Sequence, residues 1–177
     1  ALRARGVEVL LLGDRIDEWL VGSLPEFDGK PLQSAAQGDL KLDELPAAQI
    51  DLPPVADADW APTLSALQTA LADVVESVRL SDRLTESAVC LVAGKDAMSG
   101  TLERLLKSAG QDVPANRRVL EVNPRHPLLA RVKAGADAAH VDDWARLLYD
   151  QALLAEGGQL GEPAQFVQRM NRLLLEG

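Results

Sequence analysis

The chain has 177 residues, 47% of them hydrophobic but only 3% aromatic, so a sizeable core is available and it must be aliphatic, with Trp19, Trp60 and Trp144 as isolated large pieces. A formal charge of -9 argues against a nucleic-acid or anionic-membrane partner, because phosphate-bearing surfaces attract surplus Lys and Arg. The single cysteine, Cys90, excludes an internal disulfide and fits a reducing, cytoplasmic compartment, and no apolar run reaches the ~18 residues of a membrane span.

The first six residues carry neither an apolar signal-peptide region nor an initiator Met, as expected of a chain cut from something longer. Residues 7–12 are an unbroken aliphatic run apart from Glu8, which predicts a buried strand covered on both faces. Asp14, followed by Asp17 and Glu18, has the look of a helix N-cap with acids in the first turn, where the helix dipole favours negative charge. Ile16, Trp19, Leu20 and Leu24 carry that helix to Pro25, and residues 27–32 read as a turn followed by a short strand.

Residues 37–59 mix Gly, Ala, acids and the prolines Pro46, Pro53 and Pro54 without a period, marking a linker between domains. Beyond it, Trp60, Leu64, Leu67, Leu71, Val74 and Val75 recur at helical spacing, with Pro62 suited to the first turn, and predict a helix reaching Asp73 or Glu76. Residues 78–80 and 88–92 read as strands joined by a polar loop. Residues 95–108 read as a helix ending at Gly110, residues 118–122 as a strand with one face to a core, and residues 128–133 as a short helix after Pro124 and Pro127.

The last stretch holds the strongest pattern. Val141, Trp144, Leu147, Leu148, Ala152 and Ala155 fall three or four apart with Leu154 beside them, and Phe166, Val167, Met170, Leu173 and Leu174 repeat the arrangement. Gly157-Gly158 can stop the first helix in a left-handed conformation, and Pro163 suits the first turn of the second. Two helices with such broad apolar faces at the end of a chain leave surface for another copy, so the hairpin is expected to dimerise. The alternative is an ordinary hairpin packed on its own domain.

Few groups converge for chemistry. The stretch from Gly22 to Lys30 lacks the glycine spacing of a phosphate loop, since the position five before Gly29 is Leu24. Cys90 sits in an apolar strand pattern, where a thiol is inert core, and His126 and His140 have no partner at zinc-ligand spacing. The acids Asp14, Asp17, Glu18 and Asp28 are explained by capping without a cation. No catalytic, cofactor or metal site is therefore expected. In the helix over 95–107, Met98, Leu102, Leu105 and Leu106 form one stripe that Gly100 holds loosely, which suits a promiscuous apolar binding surface as well as a core-facing stripe.

Several longer stretches carry a resemblance: Val7-Glu-Val-Leu-Leu-Leu-Gly-Asp-Arg-Ile-Asp-Glu-Trp19 with Phe27-Asp-Gly-Lys30, Val78-Arg-Leu-Ser-Asp-Arg-Leu84, Leu120-Glu-Val-Asn-Pro-Arg-His-Pro127, Asp150-Gln-Ala-Leu-Leu-Ala-Glu156 and Phe166-Val-Gln-Arg-Met-Asn171. The chain resembles the C-terminal part of the heat-shock protein 90 chaperones, in particular the bacterial members. The resemblance implies an α+β organisation. Residues 1–36 would be the strand-helix-strand end of an α/β middle domain, residues 37–59 a linker, and residues 60–177 a C-terminal dimerisation domain whose hairpin forms a four-helix bundle in the homodimer. Trp144, Leu147, Leu148, Leu154, Phe166, Met170, Leu173 and Leu174 are the expected interface residues.

It further implies a molecular chaperone that binds non-native client proteins, with Trp19 matching one client-contacting position and Met98, Leu102, Leu105 and Leu106 a second. The family's helix is richer in Met and ends in an aromatic, where this chain has leucines. ATP and magnesium would be used only by the full-length protein, upstream of this chain, so this part is expected not to be an enzyme. The acidic tail of the eukaryotic cytosolic members is absent, and tail-reading partners are not expected. The rival reading is a purely structural dimerisation module without a client surface.

Overall fold

Asp28-Gly29 is the dipeptide that a two-residue hairpin turn asks for, because both central positions need positive φ. In the computed structural model their φ angles are 50° and 71°, and they join strands β1 (Glu26–Phe27) and β2 (Lys30–Pro31), which pair antiparallel with Phe27 opposite Lys30. The turn expected before one short strand is thus the turn of a small hairpin. The structure describes residues 7–14, 16–32, 57–81, 83–93, 117–134 and 140–175, which fall into two units, residues 1–52 and 53–177.

In the first unit, helix α1 spans Asp17–Ser23. Its start is capped reciprocally: the Asp14 N–H donates to Asp17 Oδ2 at 2.8 Å, and the Ile16 N–H donates to Asp14 Oδ1 at 3.3 Å. The acidic pair is accounted for by helix entry. Residues 7–12, expected as a buried strand, form none, and Leu10, Leu11 and Leu12 are exposed. An apolar run becomes a strand only against a neighbour that takes its backbone groups, and among the described residues this run has no ladder partner.

The second unit is built on a three-stranded sheet of order β3-β5-β4. Strand β3 (Val75–Leu80) runs parallel to β5 (Arg118–Val122), and β4 (Val89–Val92) runs antiparallel to it. Helix α2 (Ala61–Ala70) precedes β3, with Pro62 in its first turn. It ends before the predicted limit, and Val75 is the first residue of β3 instead. Leu71 and Val75 are both buried and joined by an i to i+4 backbone bond of 3.0 Å, so their helical spacing reflects one final turn rather than a longer helix.

Helices α3 (Pro127–Ala134), α4 (Val141–Ala155) and α5 (Pro163–Leu175) follow. One core joins Leu67, Leu71, Leu120, Val122, Leu129 and Leu148, all almost wholly buried. On the far face of the sheet, Val92, Val119 and Glu121 are buried too. Strand β5 is therefore covered on both faces, against the expectation of one: it is the central strand, and its outward-alternating residues are enclosed as well. The expected linker, apart from a 3₁₀ turn at Asp57–Asp59, and the expected helix over 95–108 lie outside the described residues.

Candidate dimerisation surface

Helix α4 stops at the predicted glycines. Gly157 has φ 76°, its N–H donates to the Leu154 carbonyl at 3.0 Å, and the Gly158 N–H reaches back to the Leu153 carbonyl at 2.9 Å. These are the paired bonds of a Schellman ending, which satisfy carbonyls the last turn leaves open. Pro163 opens α5, where its missing N–H costs nothing.

The two helices are joined by charge along one edge. Arg172 Nη1 lies 2.5 Å from Asp143 Oδ2, Arg169 Nε lies 3.9 Å from Asp143 Oδ1, and Arg169 Nη1 lies 3.5 Å from Asp150 Oδ2. Arg169 also donates to Gln165 Oε1 at 2.8 Å. Burial pushes the Asp150 carboxyl above its ordinary value, against the pull of Arg169 and Arg146. Near the end of α4, Arg118 is ion-paired with Glu156, whose carboxyl burial likewise raises.

The expected interface residues separate into distinct environments. Trp144, Leu147, Leu148 and Leu173 are buried in the chain's own core, so a second copy can take little further area from them. Phe166 and Met170 are partly buried against that core. Leu154 is 45% exposed and Leu174 is 68% exposed. Sequence reasoning placed Val167 on the apolar stripe but not in the interface, and passed over Leu175; they are 46% and 87% exposed. Val167 and Leu174 are seven residues apart and so share one line along α5, beside Phe166 and Met170. On one helix, therefore, one apolar line faces the core and the next faces outward.

The expected client-contacting residues are placed less fully. Trp19 lies in α1, between Ile16 and Leu20, which are exposed; its own side chain, and Met98, Leu102, Leu105 and Leu106, lie outside the described residues.

A second constellation went unread in the sequence. Glu121, 4% exposed in the middle of β5, accepts from Arg79 Nε and Nη2 at 3.2 and 2.8 Å, from Arg83 Nε at 2.7 Å and from Ser81 Oγ at 3.1 Å. Cys90 Sγ stands 3.6 Å from Arg83 Nη2 and 3.8 Å from Glu121 Oε2. Burial raises its thiol despite the nearby guanidinium, which disfavours the nucleophilic thiolate. Burial opposes the Arg83 charge, but Glu121 outweighs it and holds the guanidinium protonated. The arrangement locks the loop after β3 onto β5 through the contacts of Arg79, Ser81 and Arg83 with Glu121. Its signal was the recurrence of Arg, Ser and Arg in one motif and a lone Glu in an apolar strand.

Among the described residues no group of His, Cys, Asp and Glu is placed to hold a metal ion, and no helix is long and apolar enough to cross a membrane. Comparison with known sequences bears on the whole chain: the family model described as Hsp90 protein matches residues 1–177. The chaperone protein HtpG of Burkholderia lata is 52% identical over 173 residues, which is 98% of this chain. Those of Nitrosococcus oceani and Methylococcus capsulatus are 51% and 50% identical over 174 and 173 residues, covering 98% and 97% of this chain. The chain spans about a quarter, 27%, of the length of each of these relatives.

Proposed function

The chain belongs to the Hsp90 protein family, and on that premise we propose that it is the dimerising, client-binding part of a molecular chaperone. The observation that carries the reading is the outward apolar line of α5, Val167 and Leu174, with Leu154 of α4 and Leu175 exposed as well. Exposed apolar residues in line on an amphipathic helix mark an interaction surface. A second copy supplies the same line, and two such hairpins close into a four-helix bundle around a two-fold axis.

Ile16, just ahead of α1, and Leu20 within it lie on either side of Trp19 with their side chains exposed, and exposed apolar residues suit non-native proteins that share no sequence. The stretch carrying Met98, Leu102, Leu105 and Leu106 is assigned the same role. ATP hydrolysis, with its magnesium, is assigned to the remaining length of the protein. Dimerisation brings two sets of client-holding residues around one cleft and raises the effective concentration of each.

Light scattering on the intact chain, on the chain truncated after Gly158, and on Val167→Asp with Leu174→Asp tests the dimer. Twice the monomer mass for the intact chain and the monomer mass for the other two is the expected result. An intact chain that stays monomeric across concentrations removes the reading. Client binding is tested separately, by whether Met98→Asp with Leu102→Asp abolishes suppression of a model client's aggregation while the fold is kept. Unchanged suppression leaves the structural dimerisation module.

A further inference from the structure

Helix α5 is anchored by little apolar area. Leu173 is its single buried residue among those described, with Phe166 and Met170 only partly buried, while Val167 and Leu174, one position further round, are exposed. Rotating the helix by about one residue, roughly 100°, exchanges the inward line for the outward one at modest apolar cost, because both are apolar. Something other than greasy contact must select between them. The opposite edge of α5 carries Arg169 and Arg172, which meet Asp143 and Asp150 of α4. Arg169, Asp143 and Asp150 are each about one-fifth exposed or less, so rotation would strand partly desolvated charges. Buried ionic groups contribute little net stability but can specify register and orientation.

We propose that Arg169 is the positioning residue of the dimer surface: through Asp143 and Asp150 it fixes the rotation of α5, and so determines that Val167 and Leu174 are the residues a second copy meets. This rests on the dimerisation reading above. Arg169 need not touch the partner. Its place is on the hairpin edge, spanning two carboxylates seven residues apart on α4 and held by Gln165 one turn earlier on its own helix. Arg172, half exposed and paired with Asp143, is the weaker partner in the clamp.

The test compares Arg169→Met, Arg169→Lys and the core variant Leu173→Ala in the intact 177-residue chain by sedimentation equilibrium, with oxidative cross-linking of single cysteines at Val167→Cys, Leu174→Cys and Gln168→Cys in a Cys90→Ser background. The expected result for Arg169→Met is a dimer dissociation constant raised about tenfold, as lost preorganisation gives, and loss of the preference for cross-linking at 167 and 174 over 168. Arg169→Lys is expected to retain that preference. Leu173→Ala is expected to weaken the fold without altering it. Should Arg169→Met fail to fold, the near-isosteric pair Asp143→Asn with Asp150→Asn carries the same expectation. An unchanged cross-linking preference in the Arg169 variant, or in the paired variant, overturns the positioning role even if stability falls. If Val167→Asp with Leu174→Asp also leaves the dimer intact, the choice of surface is wrong, and a monomeric parent chain removes both inferences.

Discussion

Arg83 Nε lies 2.7 Å from Glu121 Oε2, across a separation of 38 residues, with the carboxylate almost wholly enclosed. This contact ties together two of the stretches by which the family resemblance was recognised, the one running from Val78 to Leu84 and the one from Leu120 to Pro127. Their shared role is architectural: the first supplies Arg79, Ser81 and Arg83, and the second supplies the acid they enclose.

Truncating Glu121 to Ala is expected to cost about 3–5 kcal/mol, since it removes the enclosed carboxylate that Arg79, Ser81 and Arg83 share. Replacing Glu121 and Arg83 together by apolar residues of similar volume should cost markedly less than the two single changes summed. Urea denaturation of the four proteins of that cycle measures the difference. Additive losses would remove the idea of a coupled network.

Gly157→Ala places a side chain where φ is 76° and is expected to cost about 1–2 kcal/mol by the left-handed penalty. Gly158→Ala meets a different obstacle, because an added Cβ would stand 2.6 Å from Leu153 Cδ1 and 2.9 Å from its carbonyl oxygen. Gly161, with nothing within 4 Å of an added Cβ, is the control and should tolerate Ala. Thermal unfolding of the three variants gives the order.

His126 Nδ1 accepts the Leu128 N–H at 3.2 Å, directly ahead of Pro127 at the start of α3. The imidazole thus serves as the helix N-cap. His126→Ala is expected to lose about 1 kcal/mol, and His126→Asn, which keeps a short acceptor, to lose less. Amide exchange over 127–134 should report the loss locally.

Acid titration separates carboxyls of opposite sign. Asp150 and Glu156 have folded values raised by burial above 3.8 and 4.5, so each favours the folded state below its ordinary value, and that contribution is lost as pH rises through the raised one. Asp73 is the reverse: its hydrogen bond from Arg146 lowers it, and its contribution is present above 3.8 and lost as pH falls through the lowered value. Its exposure to solvent makes that contribution small. Asp150→Asn and Glu156→Gln are therefore each expected to make stability climb more steeply with pH just above the ordinary carboxylate range, and Asp73→Asn to flatten the acid limb slightly. Chemical denaturation at a series of pH values checks both signs.

Much of this chain was legible in one dimension. The helical hairpin, its glycine stop and its proline start depend on local spacing and on backbone preferences that neighbours in sequence set, and they appear where periodicity and capping chemistry put them. Asp14 and Asp17 announce a helix start for the same reason. Two matters were beyond such reasoning. Whether an apolar residue faces its own core or outward depends on helix rotation: Trp144 and Val167 belong to equally apolar stripes, yet one is enclosed and the other is open. Whether residues 7–12 become a strand depends on a partner strand, and whether Glu121 is a solvent-facing acid or a buried anchor depends on arginines about 40 residues earlier, which the parallel pairing of β3 with β5 brings to it. Spacing encodes the period of an element, but only packing decides what each face of that element meets.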